Sequence, residues 1–128
     1  HELKGALFLA KIHKSLINSN IKVATFFAGE DFQGDKCKEL GGKNIIILNY
    51  LNENEISKMM NICDLFIFPS LYETGPQVVL EAKQCQAVCI VSPGGGGRVI
   101  KNGEDGIIIK ELNVNVWSSI VLNLITVF

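Results

Sequence analysis

Short, continuous apolar runs alternate along this chain with stretches whose apolar residues recur at helical spacing. That alternation constrains the fold more than any other feature. The runs are Lys22 to Gly29, Asn44 to Leu48, Asp64 to Phe68, Ala87 to Val91 and Gly106 to Ile109. Each reads as a strand with little solvent on either face. Between them, Lys4 to Asn18 carries Ala6, Leu9, Ala10, His13, Leu16 and Ile17 on one helical stripe. Ile56, Met59, Met60 and Cys63 mark a second helix face, and Val114, Trp117, Val121, Leu124 and Ile125 a closing amphipathic helix. Strands alternating with helices predict the α/β class, with a doubly wound parallel sheet covered by helices on both faces. In that architecture ligands bind beyond the carboxyl ends of the strands.

Local signals sharpen the boundaries. Cys37 and Leu40, followed by Gly41-Gly42, predict a short helix with a glycine cap inside the polar stretch Glu30 to Lys43. Asn52 or Asn54 is placed to cap the helix before Asp64. Gly42-Lys43-Asn44 is no phosphate-binding P-loop, because the upstream glycine and the following Ser or Thr are both missing. Ser92 to Arg98 reads as a glycine-rich loop. It is open to two readings, a mobile surface loop or a place where backbone amides approach a ligand. Its spacing misses the dinucleotide fingerprint, which needs a glycine where Val99 stands. His13 sits on the buried stripe, where a histidine is ordinarily a satisfied helix-edge residue rather than a ligand or a base.

The chain has 128 residues, 48% of them apolar, which suits one domain with a core. A net charge of −1 with both signs dispersed lacks the basic face of a nucleic-acid-binding protein. The 4 cysteines show neither a C-x-x-C pair nor metal-ligand spacing with His1 or His13, and read as reduced packing thiols in a reducing compartment. No apolar run reaches membrane-spanning length.

The most informative stretch runs from Pro69 to Ala82. It leaves an apolar strand, turns, and enters a helix. Thr74 and Gln77 stand at capping-box spacing, with Pro76 in the first turn. Unpaired N–H groups at such a helix start form a site of partial positive charge suited to a phosphate. Glu73 precedes the helix, and Glu81 hangs from it roughly 7–8 Å further along the axis. Each carboxylate could accept a sugar hydroxyl. Taken alone, a loop Glu and a helix Glu are ordinarily solvated surface residues. Glu81, set among Val78, Val79, Leu80 and Ala82, is the less ordinary of the two.

These residues resemble a known family. Glu73 and Glu81 after Pro69-Ser70, then Ala82, then Gly94-Gly95 are similar to the C-terminal nucleotide-sugar domain of retaining GT-B glycosyltransferases, of the family-4 or group 1 type. The match runs in order along almost the whole chain: Lys4-Gly5, Phe26 to Gly29, Ile47 to Leu51, Asp64 to Ser70, Glu73 and Glu81, Gly94-Gly95, and Ile100 to Gly106. The resemblance implies a Rossmann-like domain, the C-terminal half of the GT-B fold. It implies a retaining hexosyltransferase whose donor is a nucleoside-diphosphate sugar, UDP or GDP being the expected nucleotides, with no metal and no separate cofactor. Lys4 and the amides near Gly75, Gln77 and Val78 would bind the diphosphate. Leu51 would sit near the base, Glu81 would hold the ribose hydroxyls, and Glu73 would be the catalytic position, contacting and orienting the transferred sugar. A saccharide or lipid-linked acceptor would be held by an N-terminal domain outside these residues, as would a first strand of this domain. The implied setting is cytoplasmic, peripheral at the inner face of a membrane, in polysaccharide, lipopolysaccharide or glycolipid synthesis.

The sequence departs from the family at several positions. Pro76 stands for a common glycine and removes one amide donor. Lys83, Gln86 and Val88 replace a common Met, Gly and Pro. Arg98 stands where Glu is frequent, and Asn49 replaces a Gly. The alternative reading is a non-catalytic Rossmann-like binding or scaffold domain related to such enzymes. A receiver-type signalling domain shares the alternation but needs an acidic cluster for which Glu30-Asp31 alone would stand.

Overall fold

The computed structural model describes residues 2–28, 34–48, 51–69, 77–96 and 99–127. The elements run α1 (Glu2–Asn18), β1 (Thr25–Ala28), α2 (Gly34–Gly41), β2 (Ile45–Leu48), α3 (Glu53–Ile62), β3 (Leu65–Phe68), α4 (Gln77–Gln84), β4 (Val88–Val91), α5 (Pro93–Gly96), β5 (Gly106–Ile108) and α6 (Val114–Val127). The alternation read from the sequence is the alternation observed, and the strand pairings are parallel. The chain divides into two compact units.

One unit holds α1, β1, α2, β2 and α6. β1 pairs with β2 from Thr25↔Ile45 to Ala28↔Leu48. The strand expected from Lys22 begins only at Thr25, because its partner begins at Ile45 and a strand extends no further than its ladder. α1 packs on both α2 and α6. Its residues Ala10, Ile12, His13 and Leu16 are all buried. Ile12 lies off the predicted stripe, since a helix with neighbours on two sides buries more than one face. Ala10, Phe27, Cys37 and Ile45 form the centre of this unit. α2 ends as expected at glycine. Gly42 takes φ +85° and its N–H donates to the Lys38 carbonyl, closing the helix. On α6, Trp117 is fully buried, donates its ring N–H to the Glu111 carbonyl at 2.7 Å and meets Phe8 edge to face.

His13 is the main polar feature of this interior, with only 1% of its surface exposed. Its Nε2 lies 2.6 Å from the Lys43 carbonyl, which can only accept, so Nε2 carries the hydrogen. Nδ1 lies 2.7 Å from the Thr25 hydroxyl, which donates to it when the ring is neutral. One side chain thus joins α1 to the first residue of β1 and to the turn leading into β2. The expectation of a satisfied histidine holds, though at the centre of a three-way junction rather than at a helix edge.

The other unit runs from Leu51 to Lys110. Asn52 caps α3 in a reciprocal capping box: its side chain accepts from the Glu55 N–H at 2.9 Å, and its own N–H donates to the Glu55 carboxylate at 3.0 Å. β3, β4 and β5 form a parallel sheet in that order. Met60, Val79, Ala82, Ala87, Cys89, Val91 and Ile100 make its core, with Ile56, Phe66 and Phe68 packed against them. Gly106 is required at the start of β5, since a Cβ there would overlap the Cys89 carbonyl oxygen and lie 3.1 Å from the Cys89 Cβ. The 4 cysteines are free, and burial raises the thiols of Cys37, Cys63 and Cys89 above the ordinary range. That matches packing thiols rather than reactive ones.

Two details depart from expectation. Pro93–Gly96 forms a short helical turn, not an extended loop. Proline supplies a helix-compatible φ at its first position and glycine accepts any φ, so context decided a segment that composition assigns to loops. Gln86 adopts φ +61°, the left-handed region. This is a position where the resembled family commonly has glycine, and the geometry explains that preference.

Candidate functional site

The described part of the site is the carboxyl rim of the β3–β4–β5 sheet. Phe68 pairs with Val91 and Val91 with Ile108, so the three strands end level. The ladder continues past them, with the Ser92 N–H donating to the Phe68 carbonyl and the Ile109 N–H to the Val91 carbonyl. β3 leads through buried Pro69 toward α4, and β4 leads through buried Ser92 into the Pro93–Gly96 turn. The start of α4 and the glycine-rich turn therefore follow adjacent strand ends. This is where a parallel sheet binds ligands.

The expected residues fall on this frame as follows. Gln77 and Val78 are the first residues of α4, the position at which backbone N–H groups lack intrahelical acceptors. Glu81 lies one turn further on and is half-buried, while Val79 and Ala82 on the same helix are fully buried in the core. Those two apolar anchors orient α4 and leave Glu81 at its partly accessible flank. Leu51 is half-buried immediately before the α3 capping box. Lys4 lies in the first turns of α1. Glu73, Gly75, Thr74, Pro76, Asn49 and Arg98 lie outside the described residues. Among the described residues, no group of His, Cys, Asp and Glu side chains is arranged to hold a metal ion.

Sequence reasoning singled out Lys83 only as a departure from a family pattern and gave it no role. In the structure its Nζ donates to the Val99 carbonyl at 2.8 Å and lies 3.3 Å from the Asp105 carboxylate. The charge pattern of the sequence holds no signal for that pairing, because the partners sit in segments brought together only by β4–β5 pairing.

Chemically, the rim offers the first N–H groups of a helix after one strand end, a glycine-rich turn after the next, and a carboxylate on the helix flank. Amides of this kind stabilise an anion without a metal, and a carboxylate accepts hydroxyl hydrogen bonds.

Comparison with known proteins agrees with this architecture. The family model for glycosyl transferases group 1 matches residues 2–126. The chain is 31% identical over 122 residues to the UDP-Gal:alpha-D-GlcNAc-diphosphoundecaprenol alpha-1,3-galactosyltransferase of Escherichia coli, covering 86% of this chain and 30% of that protein. It is 34% identical over 83 residues to the N,N'-diacetylbacillosaminyl-diphospho-undecaprenol alpha-1,3-N-acetylgalactosaminyltransferase of Campylobacter jejuni, covering 63% of this chain and 22% of that enzyme. The chain thus spans less than a third of the length of the curated relatives it matches. Among solved structures it shares the fold of WaaG, a glycosyltransferase involved in lipopolysaccharide biosynthesis, with a TM-score of 0.70 and 17% identity over 94% of this chain and 34% of that one. No helix among the described residues is long and apolar enough to cross a membrane. With the family model matching nearly end to end and the parallel α/β fold of a GT-B enzyme, the chain belongs to the group 1 glycosyl transferases.

Proposed function

We propose that this chain is the donor-binding domain of a retaining hexosyltransferase and binds a nucleoside-diphosphate sugar. The observation that carries the proposal is the common rim. The first turn of α4, the flank residue Glu81 and the Pro93–Gly96 turn follow adjacent, level strand ends. The diphosphate sits at the start of α4, against the amides near Gly75, Gln77 and Val78. Lys4, which the family resemblance assigns to the same diphosphate, would add positive charge. Breaking the bond between sugar and phosphate leaves negative charge on the departing diphosphate, and these groups stabilise it as it develops. Glu81 accepts hydrogen bonds from the ribose hydroxyls, Leu51 lies against the base, and Glu73 orients the transferred sugar. The acceptor, a saccharide or a lipid-linked saccharide, is held by an N-terminal domain of a longer parent. Both relatives named above carry diphosphoundecaprenol in their names, which supports a lipid-linked acceptor and work at a membrane surface.

The test is a calorimetric or NMR titration of the chain with UDP, GDP and ADP, repeated on Glu81→Ala. Saturable binding by one nucleotide is expected. Loss of hydrogen bonds to a carboxylate should weaken it about tenfold or more in the variant. A well-folded chain that binds none of the three, alone or within its longer parent, would favour the non-catalytic scaffold reading instead.

A further inference from the structure

The Lys83 ammonium joins three segments. It starts from the last turn of α4, donates to the Val99 carbonyl at 2.8 Å, and reaches the Asp105 carboxylate at 3.3 Å. The same carboxylate oxygen accepts the Lys101 N–H at 3.3 Å. The Lys101 carbonyl in turn accepts the N–H groups of Glu104 and Asp105, closing the turn that leads into β5.

An ordinary surface ion pair ties two mobile side chains and adds little. This one differs because one partner is a main-chain carbonyl, and that carbonyl stands just after the glycine-rich segment. A glycine run has no side chains by which to be held and more backbone freedom than any other sequence. Its placement has to come from its flanks. On one side the flank is the ladder bond from Ser92 to Phe68. On the other it is Val99, partly buried against the core and bonded through its carbonyl to Lys83. The helix that supplies Lys83 also carries Glu81.

We infer that Lys83 is a positioning residue of the donor site. By holding the Val99 carbonyl and Asp105 against α4, it sets the place of the Pro93–Gly96 turn relative to Glu81, and so the fit of a bound nucleoside diphosphate. This inference rests on the donor-binding reading and adds to it a residue that touches no ligand itself.

The experiment compares the wild-type chain, Lys83→Met and Lys83→Arg by amide NMR and by titration with the nucleoside diphosphate that the wild type binds. Methionine keeps much of the length and apolar stem but has no charge and no donor. Arginine keeps both. In Lys83→Met, the amide signals of Gly94, Gly95 and Gly96 should shift along with those of Val99, Lys101 and Asp105. The Asp105 carboxyl titrates below the usual aspartate range because it accepts the Lys101 N–H and the Lys83 ammonium. Its midpoint should rise in the methionine variant. Nucleotide affinity should fall about two- to fivefold, the size expected of one partly exposed charged contact. Lys83→Arg should restore the Asp105 midpoint and the affinity. If the wild type binds and Lys83→Met binds equally well, with the Gly94–Gly96 signals unmoved, the positioning role is wrong and the donor-binding reading stands. If the wild type binds no nucleoside diphosphate, the donor-binding reading fails and this inference falls with it.

Discussion

The two units use the same parallel strand and helix grammar but are fastened in opposite ways. In the unit of α1, β1, α2, β2 and α6, the fastener is His13, 1% exposed and hydrogen-bonded through both ring nitrogens. In the unit of β3, β4 and β5, it is the Lys83–Asp105 pair, each side chain 32% exposed. A buried group that loses its partners has no water to replace them, so His13 is expensive to remove. An ion pair about one-third exposed exchanges its partner for water at little cost, so Lys83 is cheap to remove. The contrast separates a junction that holds a fold together from a clamp that sets where a loop stands.

The largest effect that could break this contrast comes from the sheets rather than the fasteners. Gly106→Ala forces a methyl group into the Cys89 backbone of the neighbouring strand, and backbone has no rotamer by which to yield. Destabilisation of about 3 kcal/mol or more is expected, measured by urea unfolding, with lost amide protection at the β4–β5 ladder. The matching change in the other unit, Gly41→Ala, should cost much less. Its new methyl would meet first the tip of the Ile45 side chain, which can rotate away. Equal costs would mean that strand contact and side-chain contact are alike in tolerance here.

Next in size is His13→Ala, which leaves a cavity and strands the Lys43 carbonyl and the Thr25 hydroxyl. About 2–3 kcal/mol of stability should be lost, and the amides of Thr25 and Ile45 should exchange faster. A loss no greater than that of Lys83→Met would erase the distinction between the two fasteners. The smallest effect has the opposite sign. Gln86 holds φ +61° without being glycine, so Gln86→Gly should stabilise the chain by about 1 kcal/mol, seen as a higher urea midpoint with unchanged slope. Destabilisation instead would show that the Gln86 side chain makes contacts worth more than the strain.

Much of this was legible beforehand, for a physical reason. Apolar runs such as Ile45–Leu48 and Leu65–Phe68 are legible as strands because a continuous apolar run favours cover on both faces, although Ile46 remains 38% exposed. A cap at Asn52 or Asn54 was legible because capping acts within a few residues, and the structure uses Asn52 with Glu55. The Gly42 stop was legible because a left-handed φ belongs to glycine. Each signal is local. Strand ends were read less well, since Lys22 to Ala24 look like strand but the β1–β2 ladder starts at Thr25↔Ile45. The Pro93–Gly96 turn was not legible as helical, because proline and glycine permit that geometry without demanding it.

The site divides along the same line. Sequence alone determined the alternation of elements and the candidacy of Glu81, near the start of a helix following a strand. Periodicity and capping act over a few residues, so their consequences can be read one segment at a time. Only the tertiary structure decided that Glu81 is half-buried beside fully buried Val79 and Ala82, that His13 bonds to Thr25 and Lys43, and that Lys83 spans to Val99 and Asp105. Those facts depend on which strands pair and in what register. Pairing free energy is summed over whole ladders and cores, and no short stretch of the chain contains it.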